Sequence, residues 1–323
     1  MVTKPFLAML LALVPLLPGC VNLAEVQAEA ERGAYPRARP AVDVTLVPWT
    51  QIAGARLVAP PKNAGGAYVK FVRPMAVALR AGELFVADAG VAAVLHISVA
   101  GQTMTALAGA PSQPGVRLQA GHDQSLYVLD PVRRVVLRFA PTGQLMQSIA
   151  PPPDVVGLPA DLALDERRGL LLIADSSLNQ LVMMPLMGGS AYPLTPEPRL
   201  TRIDSVAGGA DGFYVTDVLC HCVAVLGVDG RLRARFGAET LRSPGAIAVD
   251  RGERVFVADR FDNSIKVYSG GRHIATVPAA TLGVTGIADI AVDEATLAVA
   301  DDAGARIALL QIQEVRARGG ASQ

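Results

Sequence analysis

The sequence predicts an all-β chain folded as a six-bladed β-propeller, and three observations lead there. An aspartate closes a hydrophobic segment six times, at Asp88, Asp130, Asp175, Asp217, Asp259 and Asp301, in steps of 42, 45, 42, 42 and 42 residues. The register around it repeats. Two positions before it stand Val86, Val128, Ile173, Val215, Val257 and Val299, and six positions after it Val94, Val136, Leu181, Val223, Ile265 and Ile307. Finally, Gly, Pro or Asp interrupts the chain every five to eight residues. That leaves no room for the runs of about ten residues that a helical repeat or a βαβ unit needs. A supersecondary unit of roughly 40–45 residues with period-2 apolar spacing is a propeller blade.

Each unit supplies its strands in order. An apolar first run, such as Met75–Leu79 or Gly245–Val249, precedes the segment that ends on the aspartate. A third run follows the turn, and a fourth comes after a Gly-containing turn, as in Gly230–Phe236. β-branched residues recur in the second and third runs, in agreement with short half-buried strands. The sixth unit lacks a fourth strand, while Gln51–Val58 upstream is an unassigned one. This N-terminal strand is expected to complete the last blade, removing a raw sheet edge and fastening the ring. The propeller is thus expected over residues 42–315, followed by a flexible tail over 316–323.

The fifth unit carries a resemblance. Ser243-Pro244-Gly245-Ala246-Ile247-Ala248-Val249-Asp250 leads through Val255-Phe256-Val257-Ala258-Asp259 to Asn263-Ser264-Ile265-Lys266-Val267-Tyr268. The proline-led first strand, the V-A-D ending and the N-x-I-x-V third strand are similar to the NHL repeat, and the match extends over residues 71 to 312. The second unit departs from it, reading Leu129-Asp130-Pro131 and lacking the asparagine. The resemblance implies four-stranded NHL-type blades. It leaves function open, because that fold serves binding modules, lyases and lactonase-like enzymes alike.

Ahead of the propeller, Lys4 precedes an apolar stretch from Phe6 to Leu17 and then Pro18-Gly19-Cys20. A run this short suits a signal sequence rather than a membrane-spanning helix. Leu17-Pro18-Gly19-Cys20 resembles the lipobox of bacterial lipoproteins, with proline at a position that usually holds a small residue. That resemblance implies removal of residues 1–19, lipidation of Cys20, a tether over 20–41 and a place in the outer membrane facing the periplasm. An ordinary signal peptide with an incidental cysteine is the other reading.

Charge excludes one class of partner. Lysine plus arginine and aspartate plus glutamate balance at 29 each, and losing residues 1–19 removes only Lys4, for a mature net charge of 28 − 29 = −1. No basic footprint for nucleic acid results. An envelope protein is the expected partner, with the membrane reached through the lipid on Cys20.

Candidate chemistry lies in four places. The repeated aspartates, each at a strand end entering a turn, suit capping of loop N–H groups better than joint capture of a cation. Cys220, His221 and Cys222 fall in the turn after Asp217 and align with Asp262, Asn263 and Ser264 of unit five. They admit a disulfide, free thiols, or a soft metal such as copper or zinc. Asp161, Asp204 and Asp289 are expected to line the channel, whereas His96, His122, His221 and His273 recur at no common blade position. The sequence therefore commits to no cofactor and no catalytic residue. Calcium or zinc in the channel belongs to a lactonase- or lyase-like alternative, and copper or zinc at the cysteines to a redox one. Finally, Arg73, Arg202 and Arg242 precede first strands, and Arg133, Arg134 and Arg260 follow the aspartates. In a propeller those two loop sets share one face, which would favour an anionic ligand or acidic partner.

Overall fold

The computed structural model describes residues 44–58, 66–100, 102–196, 199–210 and 212–315. The segments read as signal peptide, lipidation site Cys20, tether and tail lie outside the described residues. The chain begins with β1 (Val44–Ile52), β2 (Gly54–Leu57) and β3 (Tyr68–Lys70). Blade I is β4 (Pro74–Arg80), β5 (Glu83–Asp88), β6 (Ala93–Ser98) and β7 (Thr103–Ala106). Blade II follows as β8 (Arg117–Ala120), β9 (Leu126–Asp130), β10 (Val135–Phe139) and β11 (Leu145–Ile149). Blade III is β12 (Pro159–Asp165), β13 (Leu170–Asp175), β14 (Gln180–Pro185) and β15 (Tyr192–Leu194). Blade IV comprises β16 (Ile203–Gly208), β17 (Gly212–Asp217), β18 (Cys222–Gly227) and β19 (Leu232–Phe236). Blade V comprises β20 (Pro244–Val249), β21 (Arg254–Asp259), β22 (Ser264–Ser269) and β23 (Arg272–Pro278). Blade VI is β24 (Ile287–Asp293), β25 (Thr296–Asp301), β26 (Arg306–Glu314) and, from the other end of the chain, β1.

The blades pack side by side in a closed ring, with the first strand of each against the first strand of the next and β24 against β4. Each sheet is apolar on both faces because it has a blade on either side, so β17, β18 and β22 are buried along their whole length. The core is accordingly divided into seams between neighbours. Phe213 and Val215 of blade IV meet Leu172 and Leu181 of blade III. Tyr214 and Phe236 of blade IV meet Ile247 and Tyr268 of blade V. Leu84 and Leu95 of blade I meet Ala300 and Ile307 of blade VI. Fully burying one such side chain contributes roughly 1.5–3 kcal/mol, and the seams add along the ring.

Closure by an N-terminal strand is present, but the strand sits earlier than Gln51–Val58. β1 pairs antiparallel with β26 from Val44↔Glu314 to Ile52↔Ile307, so only Gln51 and Ile52 of the expected segment join the last blade. Residues 54–57 instead pair parallel with β7 of blade I, as Arg56↔Thr103 and Leu57↔Met104, and β3 caps that new edge. The chain leaves blade VI at Ala53–Gly54, where Gly54 has φ 156° and a Cβ would stand 2.2 Å from the Val69 carbonyl oxygen. Val44 and Leu46 explain why the earlier residues win, because both are buried in the seam between blades V and VI.

Candidate functional site

The repeated aspartates are buried at one end of the ring, where each ties two loops together. Asp259 accepts the Arg242 and Ser243 N–H groups from the loop leading into its own blade, at 2.7 and 3.0 Å, and Phe261 N–H from the turn that follows it. Asp88 does the same with Val72, Arg73, Gly90 and Val91. Asp301 accepts from Thr285, Gly286 and Gly304. Asp217 accepts from the backbone and hydroxyl of Thr201 and from Arg202. Asp130 takes the Gln113 amide in place of a lead-in N–H. Burial works against the Asp175 charge, but hydrogen bonds from Ser177, Gly157, Leu158 and Leu178 outweigh it and hold its pKa below the usual value. Carboxylates saturated with donors in this manner have little capacity left for a cation.

Four residues beyond each aspartate the backbone turns left-handed, at Ala92, Arg134, Asn179, His221, Asn263 and Ala305, with φ between 49° and 57°. Asn and His tolerate this region better than most side chains. They also reach the next blade. Asn263 bonds the Thr285 carbonyl and Ile287 N–H, Asn179 accepts from Ile203 N–H, and the His221 ring bonds the Arg242 carbonyl. His221 therefore replaces the asparagine of unit five as a link between blades IV and V.

Cys220 and Cys222 form a disulfide, with Cα atoms 5.2 Å apart. Asp217 stands beside it, close enough that one carboxylate oxygen and the two sulfurs lie within 4.8 Å of one another. His221 takes no part in that group, since its ring points to Arg242. The four histidines remain dispersed. His96 stacks on Phe85 and bonds Glu83, His122 lies by Glu166, and His273 bonds Thr276.

Inside the channel, strand register places Ala76, Arg117, Asp161, Ser205, Ala246 and Asp289 at equivalent inner positions of blades I to VI. Four of the six are polar, and they latch neighbouring blades. Asp161 accepts the Val206 N–H at 3.0 Å and the Ser205 hydroxyl. Ser205 in turn accepts Ile247 N–H, and Asp289 accepts Val77 N–H at 3.0 Å across the closing seam. These contacts satisfy inner-edge N–H groups that face no further strand. Arg117 stands between the carboxylates, with Nε 3.9 Å from Asp161. Burial disfavours its charge, yet the nearby carboxylates of Asp289, Asp161 and Asp204 prevail and raise its pKa. Burial likewise raises the Asp161 pKa and pushes that of Asp289 up to about 7, against the opposing pull of Arg117. A calcium or zinc ion does not fit this donor set, because the guanidinium already supplies the positive charge. Asp204, the third expected channel liner, is near enough to act on the Arg117 charge and also pairs with Arg260 at 2.8 Å.

Beyond this layer the channel widens into a cavity of about 390 Å³ that opens on the opposite face. Its narrow end is a collar of Ala78, Ala163, Ala207, Ala248 and Ala291 with Gln119. Small methyl groups at equivalent positions leave that space open.

The arginine face is present in part. Arg73, Arg133, Arg134, Arg202, Arg242 and Arg260 are exposed in loops of the same end. Arg260 is taken by Asp204 and Arg133 lies 3.7 Å from Asp130, whereas Arg73, Arg134, Arg202 and Arg242 have no carboxylate partner among the described residues. Interleaved with them are exposed apolar side chains: Val72, Val132, Leu158, Leu178, Leu219 and Phe261, the last 75 % exposed. Sequence reading passed over these residues and over Arg117, though both were countable from the aspartates. Val132, Leu219 and Phe261 each lie two residues after one, and Arg117 lies thirteen before Asp130.

No protein-family model and no curated protein matches the chain by sequence. Solved structures do match in shape. A Bacteroides thetaiotaomicron protein of unknown function aligns with TM-score 0.62 and 16% identity, over 84% of this chain and 76% of its own. Virginiamycin B lyase from Staphylococcus aureus, as a catalytically inactive variant with quinupristin, aligns with TM-score 0.58 and 12% identity, over 84% and 99%. A streptogramin B lyase aligns with TM-score 0.57 and 10% identity, over 85% and 89%. At such identities the likeness shows the six-bladed propeller fold alone.

Proposed function

We propose that this chain is an NHL-type propeller, exported and lipid-anchored through Cys20, that docks an acidic protein partner of the cell envelope. The observation that carries the reading is the face where loops tied by the repeated aspartates present apolar side chains together with arginines that have no carboxylate partner among the described residues. Rigid blades fix such loops, so the face binds without first having to order itself. Apolar knobs supply buried area, and arginine forks supply specificity for carboxylates. The lipobox-like Leu17-Pro18-Gly19-Cys20 supports the anchor, because acyl chains contribute about 0.8 kcal/mol per buried CH₂. Arg117 among the channel carboxylates weighs against a metal-dependent lyase or lactonase.

A photocrosslinker at Phe261 in intact cells tests the reading. A discrete adduct is expected, lost when Arg73, Arg202 and Arg242 are changed to alanine. Undiminished crosslinking in that triple variant would refute it.

A further inference from the structure

The Cys220–Cys222 disulfide is dispensable to the turn that holds it. All six turns after the repeated aspartates adopt the same left-handed fourth residue. The pairs equivalent to Cys220 and Cys222 are Val91 and Ala93, Arg133 and Val135, Leu178 and Gln180, Asp262 and Ser264, and Gly304 and Arg306. None of these can form a disulfide, and in blade V the Ser264 hydroxyl simply donates to Asp262 at 2.6 Å. The blade IV turn has its own supports besides, since Val218 N–H bonds the Arg202 carbonyl and His221 N–H the Val218 carbonyl. Opening the disulfide therefore leaves the local fold standing.

The two sulfurs are also unequal. Cys220 is partly exposed beside the exposed Leu219, while Cys222 is 1 % exposed at the start of β18. An accessible sulfur paired with a shielded one suits exchange with an outside thiol, because the accessible sulfur is the one attacked and the shielded one is the leaving group. The turn lies on the same end of the ring as the exposed arginines.

We propose that Cys220 and Cys222 form a thiol–disulfide exchange site whose substrate is a pair of cysteine thiols on another protein. A substrate thiolate attacks Cys220 Sγ, forming an intermolecular S–S bond and breaking the Cys220–Cys222 bond. Cys222 leaves as a thiolate and takes up the proton that the substrate thiol released. The second substrate thiol then attacks the substrate sulfur of the mixed bond and expels Cys220 as a thiol. The substrate is oxidised by two electrons to a disulfide, and Cys220 and Cys222 end as the reduced dithiol. The proposal is independent of what binds the arginine face.

The full chain with Cys20→Ser, which leaves Cys220 and Cys222 as its only cysteines, tests this directly. Excess reduced glutathione is expected to open the disulfide with no change in circular dichroism or unfolding midpoint. With oxidised glutathione, the further change Cys222→Ser yields an adduct on Cys220 in the folded protein, read by intact mass. Cys220→Ser yields none until denaturant is added. A reduced dithiol peptide mixed with the oxidised protein is recovered as its disulfide in stoichiometric amount. Resistance of the bond to glutathione in the folded state, unfolding of the Cys220→Ser/Cys222→Ser double variant, or equal reactivity of both single variants would each overturn the assignment.

Discussion

At the residue scale, two sets of aspartates do different work at different depths. The six repeated ones are saturated with loop donors and set the geometry of one end. Asp161 and Asp289 are buried latches between blades, and the cost of their burial shows in their pKa values. Asp289 is raised from 3.8 to about 7, so the folded chain keeps a proton there that the unfolded chain gives up. The stability this contributes is therefore present in full below about pH 4 and lost as pH rises through about 7. At 1.36 kcal/mol per unit the loss is on the order of a few kcal/mol. Asp289→Asn keeps an acceptor for Val77 N–H without the charge. It is expected to match the unmodified protein below about pH 4, to gain on it as pH rises, and to exceed it most clearly at pH 8 in urea midpoint. Parallel pH profiles for the two proteins would exclude Asp289 as the titrating group.

β1 decides the fate of the ring at the scale of elements. It supplies the fourth strand of blade VI and inserts Val44 and Leu46 beside Val267 and Leu282 of the adjoining seam. Leu46→Asp puts an unpaired charge into that seam, a change that costs about 3–5 kcal/mol. Calorimetry should then show a lowered and broadened transition, and proteolysis should release the N-terminal strand ahead of the blades. One sharp, unshifted transition would mean that closure does not depend on β1. The position of β1 was only half legible in sequence. Gln51–Val58 has the composition of a strand, but so does Val44–Thr50, and Pro48 obscured it. The β-bulge between Pro48 and Thr50 resolves the conflict, because the extra residue Trp49 is left unpaired and 54 % exposed while pairing continues on either side.

For the molecule as a whole, the ring separates its two ends. One end gathers the six arginines, the six exposed apolar residues Val72, Val132, Leu158, Leu178, Leu219 and Phe261, and the disulfide. The other opens into the alanine-collared cavity, and the Arg117–Asp161–Asp289 layer stands between them. If Cys20 carries the anchor, Cys20→Ser should move the protein from the membrane pellet to the soluble extract after cell fractionation while its unfolding midpoint stays unchanged. Continued sedimentation with membranes would point to another means of attachment. Attraction between exposed charges decays over roughly 8–10 Å at physiological salt and over less as salt is raised, so a partner held by the exposed arginines should also dissociate at high salt.

The sequence by itself determined the all-β class, the six blades, the aspartates' place at strand ends and the equivalence of His221 with Asn263. These follow from period and spacing, which a chain displays residue by residue. Tertiary structure alone decided which segment closes the ring, that Arg117 stands among carboxylates from other blades, and that His221 turns away from Cys220 and Cys222. Those facts depend on contacts between residues about 20 to more than 200 positions apart, where side-chain direction and burial choose among partners that local pattern leaves equal.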